Sequence, residues 1–245
     1  MGKQALQLSR NDLDAVVFDL DGVLTDTASL HEAAWKEMFD AFLCDRPDPL
    51  PEFTRADYLA YVDGRPRLEG VRAFLASRSI VLAEGATDDP PGTATVAGLA
   101  RRKNELVRAR LVRDAAPLRG AEALLAALRG AGIRVAVASS SANAEAVLDA
   151  TGLARFVEVR VDGVVASRND LPGKPDPAIF VEALRRLGVG AGRAALFEDA
   201  VAGVQAGRRA GFARVIGVGH DARVDALRAA GADVVVGDLS EVAVA

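Results

Sequence analysis

Five short runs in this chain are apolar along almost their whole length: AVVFDL (15–20), RVAVAS (134–139), RAALFE (193–198), RVIGV (214–218) and ADVVVG (232–237). A sixth, FVEVRV (156–161), is a weaker candidate. Runs that do not alternate with polar residues suit parallel strands covered on both faces. Between them lie segments with helical spacing, at 121–132, 143–152, 177–188, 200–211 and 221–231. Most of these end in glycine, and the third opens with Pro177 near its first turn. Strict alternation of strand and helix predicts a doubly wound parallel sheet of the Rossmann-like α/β class.

The rhythm breaks once. More than a hundred residues separate Leu20 from Arg134 with no convincing strand, although a crossover needs only about a dozen. The stretch reads as helical instead. Ser29 and Glu32 have the spacing of a capping box, and Ala34, Trp35, Met38, Phe39 and Phe42 follow at helical intervals. The pattern continues through 55–62, 70–77 and 95–112, with proline-rich breaks at 46–52 and 87–93. We therefore expect an α/β core from residues 1–27 and 114–245, interrupted by an inserted helical cap over residues 28–113. Ligands of such sheets bind at the carboxyl ends of the strands, so the insert is expected to act as a lid there.

Composition excludes several alternatives. The 245 residues carry a net charge of −4 with the signs interspersed, which argues against nucleic acid as a partner. No apolar run approaches the roughly 20 residues of a membrane helix, and the first residues lack a secretory core. Cys44 is the only cysteine, so no disulfide can form within the chain and a reducing, cytoplasmic setting is expected.

The strand ends carry the chemistry. Asp19 and Asp21 follow the first strand directly, Ser139 ends the second, and Glu198 with Asp199 ends the RAALFE run. Lys174 sits in the proline-braced loop GKPDP. A parallel sheet brings these ends to one edge, where like charges repel by about 4 kcal/mol per close pair at an effective dielectric near 20. Four carboxylates there call for a cation, and all-oxygen ligands with access to water suit Mg²⁺. Carboxylates, a lysine, a hydroxyl and such a metal make a site for phosphoryl transfer, with Asp19 able to attack phosphorus and Asp21 to serve as general acid and base.

FDLDGVLTD, VASSS, GKPDP and LFEDAVAGVQAG, in that order, resemble the four motifs of the haloacid dehalogenase superfamily. The resemblance covers nearly the whole chain. It implies that Asp19 is the nucleophile, Asp21 the acid/base, and Ser139 and Lys174 the phosphate holders. Glu198 and Asp199, with Asp19 and the carbonyl of Asp21, would then bind Mg²⁺. An aspartate at position 21 favours phosphatases and mutases over the dehalogenases.

The insert resembles the cap of the β-phosphoglucomutase-like family. DTASLHEAAWKEMF matches its first helix, which implies that His31 and Trp35 reach toward a sugar. VDGRPRLEG matches the substrate loop at Gly64 and Arg67, RRKNELV a later lysine at Lys103, and SSSAN the core phosphate loop at Ser141 and Asn143. Ala142 departs from the pattern, since relatives often carry lysine there. The resemblance implies a monomeric phosphomutase acting on a small phosphorylated sugar, interconverting β-glucose 1-phosphate and glucose 6-phosphate through a 1,6-bisphosphate. A Mg²⁺-dependent phosphatase of related metabolites is the alternative, tilted toward by Ala142. A binding module with a dead site would lack a core motif residue, and none is missing.

Overall fold

The computed structural model describes residues 6–48 and 50–245. The chain forms two compact units, one built from residues up to Asp26 and from Ala115–Ala245, the other from Thr27–Asp114. The first unit opens with β1 (Leu6–Leu8) and β2 (Ala15–Phe18). The second holds α1 (Ala28–Cys44), α2 (Arg55–Asp57) running into a π-helical turn (Tyr58–Val62), α3 (Arg67–Ser77) and α4 (Val96–Asp114). The first unit resumes with α5 (Ala121–Gly130), β3 (Arg134–Ala138), α6 (Ala144–Ala150), β4 (Val159–Val161) and α7 (Gly163–Arg168). It finishes with α8 (Ala178–Leu187), β5 (Ala194–Glu198), α9 (Val201–Ala210), β6 (Arg214–Val218), α10 (Ala222–Ala230), β7 (Val234–Val236) and β8 (Val242–Val244).

The main sheet has the order β4-β3-β2-β5-β6-β7, with parallel pairing throughout. The doubly wound α/β fold read from the apolar runs is therefore the fold observed. β2 lies at the centre, where Phe18 is in register with Val137 on one side and Phe197 on the other. Its four residues are all buried, which is why the run could be apolar without alternation. Helices α8, α9 and α10 end on Gly188, Gly211 and Gly231 in the left-handed conformation, the stop that a residue without a Cβ adopts at little cost.

Three elements escaped the sequence reading. β1 and β8 form a separate parallel pair of three residues each, too short to carry a periodic signal. Helix α7 is also short, and it is started by Asp162, whose carboxylate accepts the backbone N–H groups of Val164 and Val165.

The helical unit closes on its own aromatic core. Phe39 lies 4.2 Å from the ring of Phe74, 5.1 Å from Phe53 and 5.4 Å from Trp35, centroid to centroid. These distances are in the range where aromatic pairs add to simple burial. The expected capping box at Ser29 and Glu32 is not formed. Helix α1 starts earlier, at Ala28, with Thr27 as its N-cap and the His31 N–H bonded to the Thr27 carbonyl at 3.0 Å. Ser29 thus lies inside the helix, and Glu32 pairs instead with Arg55 at 2.7 Å. The capping box that does form is at Thr54 and Asp57: the Thr54 Oγ1 accepts the Asp57 N–H at 3.1 Å, and the Asp57 carboxylate accepts the Thr54 N–H at 2.9 Å. Among the described residues no helix is long and apolar enough to cross a membrane.

Candidate active site

Asp19 is the first residue past β2, and its N–H donates to the Phe197 carbonyl at 2.9 Å, which holds it beside the end of β5. Glu198 ends β5 and Asp199 follows it, so three carboxylates stand at neighbouring strand ends. Lys174, from the loop between α7 and α8, is 1% exposed. Its Nζ donates to Asp19 Oδ1 at 2.6 Å and to Glu198 Oε1 at 2.5 Å. The ring of Phe180 lies 5.0 Å from the same nitrogen.

These contacts set the charge balance. Burial raises the Asp19 carboxyl above the usual carboxylate range, and the charges of Glu198 and Asp21 push it further against the pull of Lys174. Burial alone would depress the Lys174 ammonium, but Asp19 and Glu198 outweigh it and hold the group above its ordinary value. Lys174 therefore stays charged while Asp19 remains short of positive charge.

Asp21 and Ser139 meet across the gap between β2 and β3, with Ser139 Oγ 3.5 Å from Asp21 Oδ2. Gly22, at φ 81°, turns the chain after Asp21 and donates its N–H to the Thr25 carbonyl at 2.8 Å. The loop after β3 is ordered by its own hydroxyls. Ser139 Oγ accepts the Ser141 N–H at 3.0 Å, and Ser141 Oγ accepts the Asn143 N–H at 3.2 Å. A Cβ on Gly163 would come within 2.7 Å of the Ser140 carbonyl, so the bare glycine is what lets this loop lie close against the start of α7.

The structure divides the expected metal ligands. Both Glu198 oxygens accept a hydrogen bond, one from Lys174 and the other from the Ala200 N–H at 2.7 Å, so Glu198 anchors the lysine beside Asp199. Asp199 Oδ2 accepts from Arg223 Nη1 at 3.0 Å. Arg223 was not among the residues read from the sequence. Among the described residues, no three carboxylates, histidines or cysteines converge as a ready metal cage. The donor set still fits a hard divalent cation. It is all oxygen, and the raised Asp19 carboxyl marks a place where added positive charge is stabilising.

The helical unit holds a second polar group. Lys103 is buried, its Nζ 2.9 Å from His31 Nδ1 and 5.0 Å from the centroid of Trp35. Trp35 is itself buried in the aromatic core and forms the seat of that lysine. Arg67 begins α3 just after Gly64, which turns the loop at φ 72°. The Arg67 Nη1 donates to the Asn104 side-chain oxygen, and its buried Nε has no hydrogen-bond partner among the described residues. Burial holds this guanidinium below its ordinary range. Asn104 too escaped the sequence reading, although it adjoins Lys103 in RRKNELV.

A parallel α/β sheet with a lysine clamped between two carboxylates at its strand ends is an arrangement suited to an enzyme that transfers phosphoryl groups. The comparisons agree. A model of the haloacid dehalogenase-like hydrolases matches residues 13–211, and the chain belongs to that family. It is 50% identical over 237 residues to a β-phosphoglucomutase of Mycobacterium bovis, spanning 93% of this chain and 90% of that one. It is 30% identical over 197 residues to the fructose-1-phosphate phosphatase YqaB of Escherichia coli, spanning 80% of this chain and 92% of that one. The crystal structure of a β-phosphoglucomutase from Clostridium difficile superposes with a TM-score of 0.75 at 24% identity, covering 94% of this chain and 93% of that one. That last match speaks for the fold alone.

Proposed function

We propose that the chain is a phosphomutase that interconverts β-glucose 1-phosphate and glucose 6-phosphate through a phosphorylated Asp19 and a 1,6-bisphosphate. The similarity to the mycobacterial β-phosphoglucomutase over nearly the whole chain supports this reading. The structural observation that carries a mutase over a plain hydrolase is Arg67. Its guanidinium is largely desolvated, and among the described residues no carboxylate pairs with it. A buried cation in that state is stabilised by an anion, and a phosphate that is not being transferred is the anion a mutase must hold.

Asp19 attacks the phosphorus of the bisphosphate donor, and the P–O bond to the sugar breaks as the Asp19 ester forms. Lys174 stabilises the charge on the transferring oxygens from one side, where its own charge is secured by Glu198. Asp21 delivers a proton to the departing sugar oxygen and takes it back from the attacking hydroxyl in the return step. Ser139, Ser141 and Asn143 line the loop assigned to the phosphoryl group. Mg²⁺, held by Asp19, Glu198, Asp199 and the Asp21 carbonyl, would neutralise the phosphoryl charge. In the helical unit Arg67 and Lys103 are assigned to the second phosphate, with His31 toward the sugar and Trp35 as a packing support. We place the enzyme in the cytoplasm as a monomer, a setting in which the exposed thiol of Cys44 stays reduced.

The test is conversion of β-glucose 1-phosphate by the purified protein with Mg²⁺ and a trace of the 1,6-bisphosphate. Glucose 6-phosphate should accumulate without a matching release of inorganic phosphate. Phosphate released mole for mole would instead assign a phosphatase, the reading favoured by Ala142, which is exposed where relatives often carry lysine, and by the similarity to YqaB.

A further inference from the structure

Arg223 stands where helix energetics disfavour it. It lies in the first turn of α10, where a cation opposes the helix macrodipole. The surrounding residues nonetheless make room for it. A Cβ on Gly219 would come 3.3 Å from the Arg223 Cβ and 3.3 Å from Leu227 Cδ1, so the bare glycine lets the arginine stem lie along the loop after β6. From there its Nη1 reaches Asp199 Oδ2 at 3.0 Å. Asp199 is 5% exposed while the Arg223 side chain keeps 26% of its surface, so this is a partly buried charge pair.

We infer that Arg223 is a positioning residue acting through Asp199, a resident counter-ion that a divalent metal must displace or share when it loads. This rests on the proposed assignment of Asp199 as a metal ligand. The guanidinium and the metal draw on lone pairs of one carboxylate, and two cations on one carboxylate repel. Arg223 therefore weakens metal binding and stabilises the unloaded strand end, as Lys174 does for Asp19 and Glu198 on the other side. The consequence is an enzyme whose metal exchanges readily and whose core edge is not left as an uncompensated cluster of carboxylates when it departs.

Calorimetric titration of Mg²⁺ into the chelator-stripped full chain tests this, alongside thermal unfolding with and without Mg²⁺. Arg223→Gln removes the charge while keeping an N–H donor, and it should bind Mg²⁺ roughly tenfold more tightly than the native chain. Its unfolding temperature should fall without metal and rise further than the native value on adding it. Arg223→Lys keeps the charge and should stay within about threefold of native. Unchanged or weaker Mg²⁺ binding by Arg223→Gln, or a lysine variant as tight as the glutamine one, would overturn the inference. Asp199→Asn separates the two ideas: if it binds Mg²⁺ as the native chain does, the metal assignment itself fails.

Discussion

The strand-end site and the polar group of the helical unit solve opposite electrostatic problems. At the strand ends three carboxylates, Asp19, Glu198 and Asp199, are bonded to two cations, Lys174 and Arg223, and Asp21 stands beside them on Ser139. In the helical unit Arg67 is pushed below its ordinary range by burial and is bonded to a neutral amide. The first region holds more carboxylates than cations, and among the described residues no carboxylate pairs with Arg67 in the second. A metal ion at the first and a phosphate at the second are the occupants that the proposed function assigns to them.

The contrast predicts different consequences for removing a cation from each place. The largest expected effect comes first, from the proposed nucleophile. Asp19→Asn should lower kcat by roughly 10⁴-fold or more, read as glucose 6-phosphate formation, because the proposed phosphoryl acceptor is removed. Lys174→Met should cost activity and fold alike. It leaves Asp19 and Glu198 buried and facing each other, and removing one partner of a buried charge pair costs about 3–5 kcal/mol, visible as a lowered denaturant midpoint. Arg67→Ala should behave differently, with kcat/KM down about 100-fold and the midpoint unchanged or slightly raised, since a desolvated guanidinium is removed and no carboxylate loses its partner. A large loss of stability in that variant would break the comparison.

The smallest effect concerns the helical unit alone. Burial works against ionisation of Asp57, but its hydrogen bonds with Thr54 and the Arg78 charge prevail and hold the carboxyl below its ordinary value. A depressed carboxyl contributes stability that is present above its unfolded value and is lost as pH falls through the folded one. Asp57→Asn should lower stability by about 1 kcal/mol at neutral pH and flatten the acid limb of the unfolding curve. Trp35, the only tryptophan in the chain, reports on this unit by fluorescence.

The readable parts of the molecule were those with redundant local signals. β2, β3, β5 and β6 announced themselves because burial on both faces forces an apolar run, and the helices after them because glycine stops are local chemistry. The N-terminus of α1 misled because Ser29 and Glu32 satisfy a spacing rule that Thr27, two residues earlier, pre-empts. Lys174 was legible as a site residue through its motif. Its double contact was not, because Asp19 and Glu198 are 155 and 24 residues away from it in sequence.

The order of strands and helices, the interruption after the first main strand, and the convergence of acidic residues on one sheet edge follow from the chain's own pattern of apolar and polar residues. That pattern acts through backbone geometry, which is local and periodic. Which charge meets which was settled only by folding: Glu198 on Lys174, Arg223 on Asp199, Asn104 on Arg67. Such pairings depend on distances across the fold between residues far apart in sequence, and on the desolvation that makes each pairing matter.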